Sequence, residues 1–245
     1  MGARRGGAGV LLLLVAVTNG CVTDLFDDRS NDFEARESFL YRLDADGRSR
    51  VWIENVNGGI AVTGEASATE VVIEGHRVVR SDSRSDAEAF LALVTVEVTE
   101  PGTEIRARTS QPEDTDGRDV SVAYQVTMPP GLALYASTIN GGIDVRGTGG
   151  DAEVRAVNGG LDGTLSVPAG GKIVFSTVNG GILLSIPAGT SAMLEADVVN
   201  GAISLQGITL TDPVSTSRSV RGQLGSGDGL LRLTTTNGGI AVTAR

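Results

Sequence analysis

The motif Asn-Gly-(Gly/Ala)-(Ile/Leu) occurs six times in this chain, at Asn57-Gly58, Asn140-Gly141, Asn158-Gly159, Asn179-Gly180, Asn200-Gly201 and Asn237-Gly238. Each copy stands between stretches rich in Val, Ile, Leu and Thr, so the chain must fold as stacked copies of one supersecondary unit. Between Asn140 and Asn200 the copies recur at intervals of 18, 21 and 21 residues, and looser turns at Gly147 to Gly150, Pro168-Ala-Gly170 and Pro187-Ala-Gly189 fall between them. One unit is therefore strand, Asn-Gly bend, strand and second turn.

Aligning the copies on the Asn shows what the repeat specifies. Six and four positions before it stand Val51/Ile53, Leu134/Ala136, Ala152/Val154, Ile173/Phe175, Leu194/Ala196 and Leu231/Leu233. Three after it stand Ile60, Ile143, Leu161, Ile182, Ile203 and Ile240, and five after it Val62, Val145, Gly163, Leu184, Leu205 and Val242. Across a tight bend these four positions share one face, which predicts the core. Polar residues three before the Asn (Glu54, Ser137, Arg155, Ser176, Asp197, Thr234) then face solvent. Asn tolerates left-handed backbone and Gly adopts it without steric cost, so the expected bend has positive φ at both positions. The second Gly, replaced only by Ala202, leaves little bulk and lets neighbouring copies approach closely.

The fold class is all-β. A period near 20 residues with two different turns per unit predicts a β-solenoid or β-helix-like stack; the alternative is an antiparallel β-sandwich or meander with the Asn-Gly bends as hairpins. Thirty-four Gly and only 4% aromatic residues suit a narrow, regular core. Upstream of the array, Phe39 to Leu43, Val51 to Val56, Ile60 to Thr63, Val71 to Ile73, Val78-Val79, Val94 to Val98, Glu104 to Thr109 and Val120 to Met128 read as strands. Ser85 to Leu93 is the one expected helix. Residues 110–118 form a polar loop.

The N-terminal segment reads as an export signal over residues 1–20, with Arg4 and Arg5 before a short apolar run from Val10 to Val17. That run is too short to span a bilayer. It ends at Thr18-Asn19-Gly20-Cys21, and the lone cysteine after small residues resembles the lipobox of bacterial lipoproteins. The resemblance implies lipidation of Cys21, although Thr18 and Asn19 depart from the usual Leu and small residue. Val22, rather than Asp, leans toward the outer membrane by the same resemblance. Residues 21–38 then form a lipidated Cys and acidic tether, and residues 39–245 a single repetitive β domain. Without residues 1–20 the formal charge falls from −10 to −12. Such a chain is repelled by phosphate backbones and anionic headgroups, so nucleic acid is not an expected partner and a membrane would be reached through the lipid.

The residue inventory argues against catalysis. One His, His76, and one Cys cannot build a metal site of His and Cys ligands, and His76 in Glu74-Gly-His-Arg77 reads as a solvated imidazole at a strand end rather than a catalytic base. Gly225-Ser-Gly-Asp-Gly229 is a single copy of what calcium-binding glycine-rich rolls repeat in tandem, and Gly147-Thr-Gly-Gly150 lacks the Lys of a phosphate-binding loop. No metal or cofactor is expected. Asp144 and Asp162 share one repeat position and form the candidate carboxylate pair of a polysaccharide hydrolase or lyase.

The succession Val51-Trp-Ile-Glu-Asn-Val-Asn-Gly-Gly-Ile-Ala-Val-Thr-Gly64, Tyr124-Gln-Val-Thr-Met-Pro-Pro-Gly131, the serial Thr-Val/Ile-Asn-Gly-Gly-Ile units and Leu224-Gly-Ser-Gly-Asp-Gly-Leu-Leu-Arg-Leu-Thr-Thr-Thr-Asn-Gly-Gly-Ile240 resembles the bacterial "putative adhesin" family of repetitive β-proteins. The resemblance covers roughly residues 39–245 and implies a solenoid-like domain at the cell envelope, with no catalytic residues to carry over. The expected function is a non-enzymatic, adhesin-like lipoprotein that meets an envelope protein or glycan. The alternatives are the polysaccharide-active enzyme and an envelope-stress sensor or regulatory partner.

Overall fold

The computed structural model describes residues 31–245. The expected signal, Cys21 and most of the tether lie outside the described residues. Before the array the chain forms β1 (Phe33–Asp44), β2 (Arg50–Glu54), β3 (Ile60–Gly64), β4 (Glu70–Ser81), α1 (Arg84–Leu91), β5 (Thr95–Thr99), β6 (Glu104–Ser110) and β7 (Asp119–Met128). The array supplies β8 (Ala133–Asn140), β9 (Ile143–Arg146), β10 (Ala152–Asn158), β11 (Leu161–Thr164), β12 (Lys172–Asn179), β13 (Ile182–Ile186), β14 (Ala192–Asn200) and β15 (Ile203–Gln206). After an excursion through β16 (Thr211–Ser215) and β17 (Ser219–Leu224), β18 (Gly229–Asn237) and β19 (Ile240–Ala244) end the chain.

These strands make two mixed sheets, neither of them closed. Sheet I runs β1-β4-β7-β3-β9-β11-β13-β19-β15 and sheet II runs β16-β17-β14-β18-β12-β10-β8-β2-β6-β5. Every Asn-Gly bend carries the chain from sheet II to sheet I, and strands in equivalent repeat positions pair in parallel and in register. Ala152 pairs with Leu134 and Ile173, and Leu161 with Ile143 and Ile182. Two facing sheets fit a sandwich-like arrangement, but the bends are not hairpins. None of the motif asparagines has positive φ, because a crossing between sheets needs no left-handed pair.

The spatial order of the units departs from their chain order at both ends. β18–β19 inserts between β12–β13 and β14–β15, and β2–β3 inserts between β6–β7 and β8–β9. The pair β6–β7 is a further unit of the stack without the motif. Its loop 111–118 replaces the Asn-Gly bend, yet Val122 and Tyr124 donate to the Asn57 and Gly59 carbonyls at 2.8 and 3.0 Å, as the motif residues do elsewhere.

The four aligned positions line one continuous core between the sheets, from Ala35 to Val242. All are buried except Ile203 and Leu205, which are half-buried on the edge strand β15. Gly163 leaves a gap in its row that Phe175 and Leu184 fill: a Cβ there would stand 2.6 Å from Leu184 Cδ1 and 2.9 Å from the Phe175 ring. At the other end β1, β4 and β7 pair antiparallel, and α1 packs against β1 and β4. The helix starts one residue before the expected Ser85, with Ser83 as its N-cap accepting from the Asp86 N–H, and ends before Ala92. β1 begins at Phe33, six residues before the expected boundary, because Phe33 to Ser38 pair with Ser81 to His76 of β4.

Candidate functional site

The six motif asparagines meet in one column. Asn140 donates through Nδ2 to Asn57 Oδ1 (2.6 Å), Asn158 to Asn140 (2.8 Å), Asn179 to Asn158 (2.8 Å), Asn237 to Asn179 (2.7 Å) and Asn200 to Asn237 (2.9 Å). Five of the six amides thus donate to a neighbouring amide oxygen, each bond using one of that amide's two N–H donors. Beneath the column the close approach expected of the second Gly falls on the first, which also has positive φ at Gly58, Gly141 and Gly238. A Cβ on the first Gly would strike the neighbouring unit's carbonyl oxygen, at 1.9 Å for Gly159 on Gly141 and 2.0 Å for Gly180 on Gly159. The second Gly has room, with Gly160 at 3.7 Å from the nearest atom, which is why Ala202 is accepted there.

Two before the Asn, a threonine that the sequence reading passed over is buried in three units. Thr177 Oγ1 donates to Gly159 O (2.9 Å), Thr235 to Gly180 O (2.8 Å) and Thr138 to Gly58 O (3.3 Å). Just after β2 the equivalent residue is Asn55, which donates to the Val122 carbonyl at 2.7 Å and accepts from Thr109. Thr109 also meets the Tyr124 hydroxyl at 2.7 Å, and burial pushes that phenol's pKa well up. One before the Asn, side chains turn outward: Ile139, Val157, Val178 and Val199 are 40–51% exposed. Beside the amide column Ile139, Val157 and Val178 stand on successive strands as a short apolar ridge, and Thr236 of β18 separates Val178 from Val199. Exposed apolar surface in a row is the ordinary mark of a contact surface.

The outer face of sheet II holds a second feature. Trp52 on β2 and Tyr135 on β8, five before their asparagines and directly paired, stack with centroids 3.8 Å apart and planes at 18°. Arg106 on β6 covers the other face of Trp52 at 5.2 Å. Beside Tyr135 lies a shallow cleft of about 230 Å³ lined by Arg50, Ala133, Asp151, Glu153 and Lys172 as well as the two rings. Alternation across a solvent-facing row could have flagged Trp52 and Tyr135. Their contact depends on parallel pairing across 83 residues and is not a local signal.

The remaining candidates separate. Asp144 and Asp162 do pair across β9 and β11, on the outer face of sheet I. Arg146 spans Asp144 with two hydrogen bonds of 2.7 and 2.6 Å, and neither residue lines a described cleft. His76 sits not at a strand end but within β4, paired with Ser38 and Ala123, where burial lowers its pKa, Arg36 adds to the effect and Glu34 opposes it. Asp228 of the 225–229 loop accepts from Ser226 and from Ser191. Among the described residues no group of three or more His, Cys, Asp and Glu converges as metal ligands, and no helix is long and apolar enough to cross a membrane. Between β4 and β7, Arg118 grips Asp86 through Nε and Nη2 at 2.6 and 2.8 Å, and Ser81 donates to the same carboxylate. These bonds hold the Asp86 pKa at about 2.

The sequence matches no protein-family model and no curated protein. Among solved structures, a "putative cell adhesion protein" from Clostridium sporogenes is similar with a TM-score of 0.56 at 10% identity, over 86% of this chain and 100% of that one. A "putative adhesin" from Bacteroides fragilis covers 84% of this chain and 96% of its own, at 11% identity and a TM-score of 0.29. The two mixed sheets are thus an arrangement this chain shares with the Clostridium sporogenes protein, a likeness of fold.

Proposed function

We propose that this chain is a non-enzymatic interaction module of the cell envelope, adhesin-like, exported and tethered through a lipid on Cys21 toward the outer membrane. In this reading the units form a flattened β-solenoid, supported by the parallel, in-register pairing of equivalent strands in both sheets. The observation that carries the functional reading is the margin of the stack. There the asparagine column links the units, and the ridge Ile139–Val157–Val178 stands on successive strands beside it. Such a surface needs little ordering on binding, which favours a contact surface over a mobile catalytic loop. The fold likeness to a protein named for cell adhesion agrees with this role.

Two experiments test it. Crosslinking in intact envelopes captures a partner with the unaltered protein and loses it in the Val157→Lys/Val178→Lys double variant, whose exposed substitutions leave the fold unchanged; capture that ignores the ridge refutes the surface assignment. Mass spectrometry of the mature N-terminus finds a lipidated Cys21, and an unmodified start elsewhere removes the anchor from the proposal.

A further inference from the structure

The aromatic cleft on sheet II carries a ligand assignment of its own. Trp52 has both faces occupied, by Arg106 and by Tyr135. Tyr135 is covered on one side only; its other side looks along the strand ladder to Glu153 of β10, its register partner. Glu153 is drawn away along its own strand by Arg155, whose Nε donates to it at 2.8 Å. Ala133 contributes almost no bulk two residues before Tyr135. The result is one open aromatic face above a recess about the size of a single sugar ring.

The polar groups around this face differ in how far they are committed. Glu104 accepts from Arg50 at 3.2 Å and from Arg106 at 2.9 and 2.6 Å, which lowers its pKa chiefly through Arg106. Asp151 uses Oδ1 to accept from the Lys172 backbone N–H at 2.9 Å. The Lys172 ammonium enters no ion pair among the described residues, so three donors remain available at the rim. The cleft therefore offers an aromatic face, free ammonium donors and carboxylate acceptors within one ring's reach. This is a small set of polar groups placed to orient a ligand over an apolar floor.

We infer that Tyr135, Lys172 and Asp151 form a saccharide subsite that takes one ring of a neutral glycan. The ring's C–H face packs on Tyr135, its hydroxyl oxygens accept from Lys172, and its hydroxyl protons are donated to Asp151. Hydroxyl groups use both signs of charge at once, as this rim presents them. The chain's net charge of −10 repels a polyanionic glycan as a whole, which selects the neutral class. The inference deepens the interaction role proposed above and rests on it, naming a ligand class and a place separate from the ridge.

Trp52 is the chain's one tryptophan and Lys172 its one lysine, so both report on this cleft alone. Purified full-length protein is titrated with dextran, mannan and galactan, and with alginate as the acidic comparison, following tryptophan emission. A neutral glycan produces a saturable change with Kd at least about tenfold weaker in Lys172→Met and Tyr135→Ala, a loss of about 1.4 kcal/mol. The ridge variant Val157→Lys/Val178→Lys binds the glycan as the unaltered protein does. Thermal melting identifies a Tyr135→Ala protein that has not folded, and Lys172→Met, an exposed change, then decides alone. The inference is overturned if no neutral glycan binds, if only alginate binds, or if neutral binding is indifferent to Lys172→Met. Partner capture through the ridge surviving such a result leaves the interaction module standing, whereas glycan binding without ridge-dependent capture removes the ridge and keeps the cleft.

Discussion

Replacing Gly159 with Ala, beside the same change at Gly160, separates close packing from turn conformation as the reason for the repeated glycines. A Cβ on Gly159 would lie 1.9 Å from the Gly141 carbonyl oxygen and 2.4 Å from its carbon, while real Cβ contacts essentially never fall below 3.0 Å. The two units must therefore part locally by about 1.1 Å. Between them run the Gly141 N–H to Asn158 O bond at 2.9 Å, the Ile143 N–H to Gly160 O bond at 3.0 Å and the Asn158–Asn140 amide bond at 2.8 Å. Such a displacement carries the nearest of these past hydrogen-bonding distance. Two lost bonds at about 1 kcal/mol each, with about 1–3 kcal/mol of packing strain, give a destabilisation of about 3–5 kcal/mol for Gly159→Ala. At Gly160 the nearest atom to a new Cβ is Gly181 O at 3.7 Å, and φ is not positive, so Gly160→Ala should change stability by less than about 1 kcal/mol. Urea denaturation followed by far-ultraviolet circular dichroism measures both as shifts in midpoint. Equal losses at the two positions, or a native-like midpoint for Gly159→Ala, would refute the packing argument.

Three further outcomes follow from individual contacts. Phe175→Ala removes the ring that fills the space above Gly163 and should cost about 3–5 kcal/mol in the same denaturation assay, with Phe175→Leu milder. Thr177→Val keeps the shape but leaves the Gly159 carbonyl without its 2.9 Å hydroxyl donor, and should cost about 1 kcal/mol. Asp86 has a folded-state pKa of about 2 against an ordinary 3.8, so its bonds to Arg118 and Ser81 contribute full stability above about pH 4, lost as pH falls toward 2. Thermal melts between pH 2 and 6 should show that component vanish in Asp86→Asn, and an unchanged pH profile would exclude it.

The repeat, its polarity and its core rows were legible in the sequence because they depend on local periodicity. Every aligned apolar position faces the space between the sheets, and the three-before-Asn row faces solvent. The sequence reading erred where geometry depends on neighbours in space. Positive φ is expected at both bend residues, but no motif Asn has it and Gly58, Gly141 and Gly238 do; close approach is expected at the second glycine, whereas the first bears it against the neighbouring unit's carbonyl. The sequence reading took Phe33 to Ser38 for tether, although β4 supplies them a pairing edge. It also found no unit in β6–β7, because residues 111–118 erase the motif while the backbone hydrogen bonds persist.

The candidate sites divide along the same line. Asp144 and Asp162 were recognisable as neighbours from the repeat alone, since equal repeat positions become adjacent strands. Arg146, which spends Asp144 on a two-bond ion pair, alters what that neighbourhood can do. Trp52, Tyr135 and Lys172 stand at different distances from their motifs and carry no shared pattern, so only the pairing of β2, β8, β10 and β12 assembles their cleft. The amino-acid order by itself determined an all-β repeat with an acidic surface and a narrow aliphatic core, because side-chain alternation and turn residues act over a few positions. Tertiary structure decided the order of the units, the asparagine column, the demand on the first glycine and the aromatic cleft, because each arises from contact between segments up to 83 residues apart.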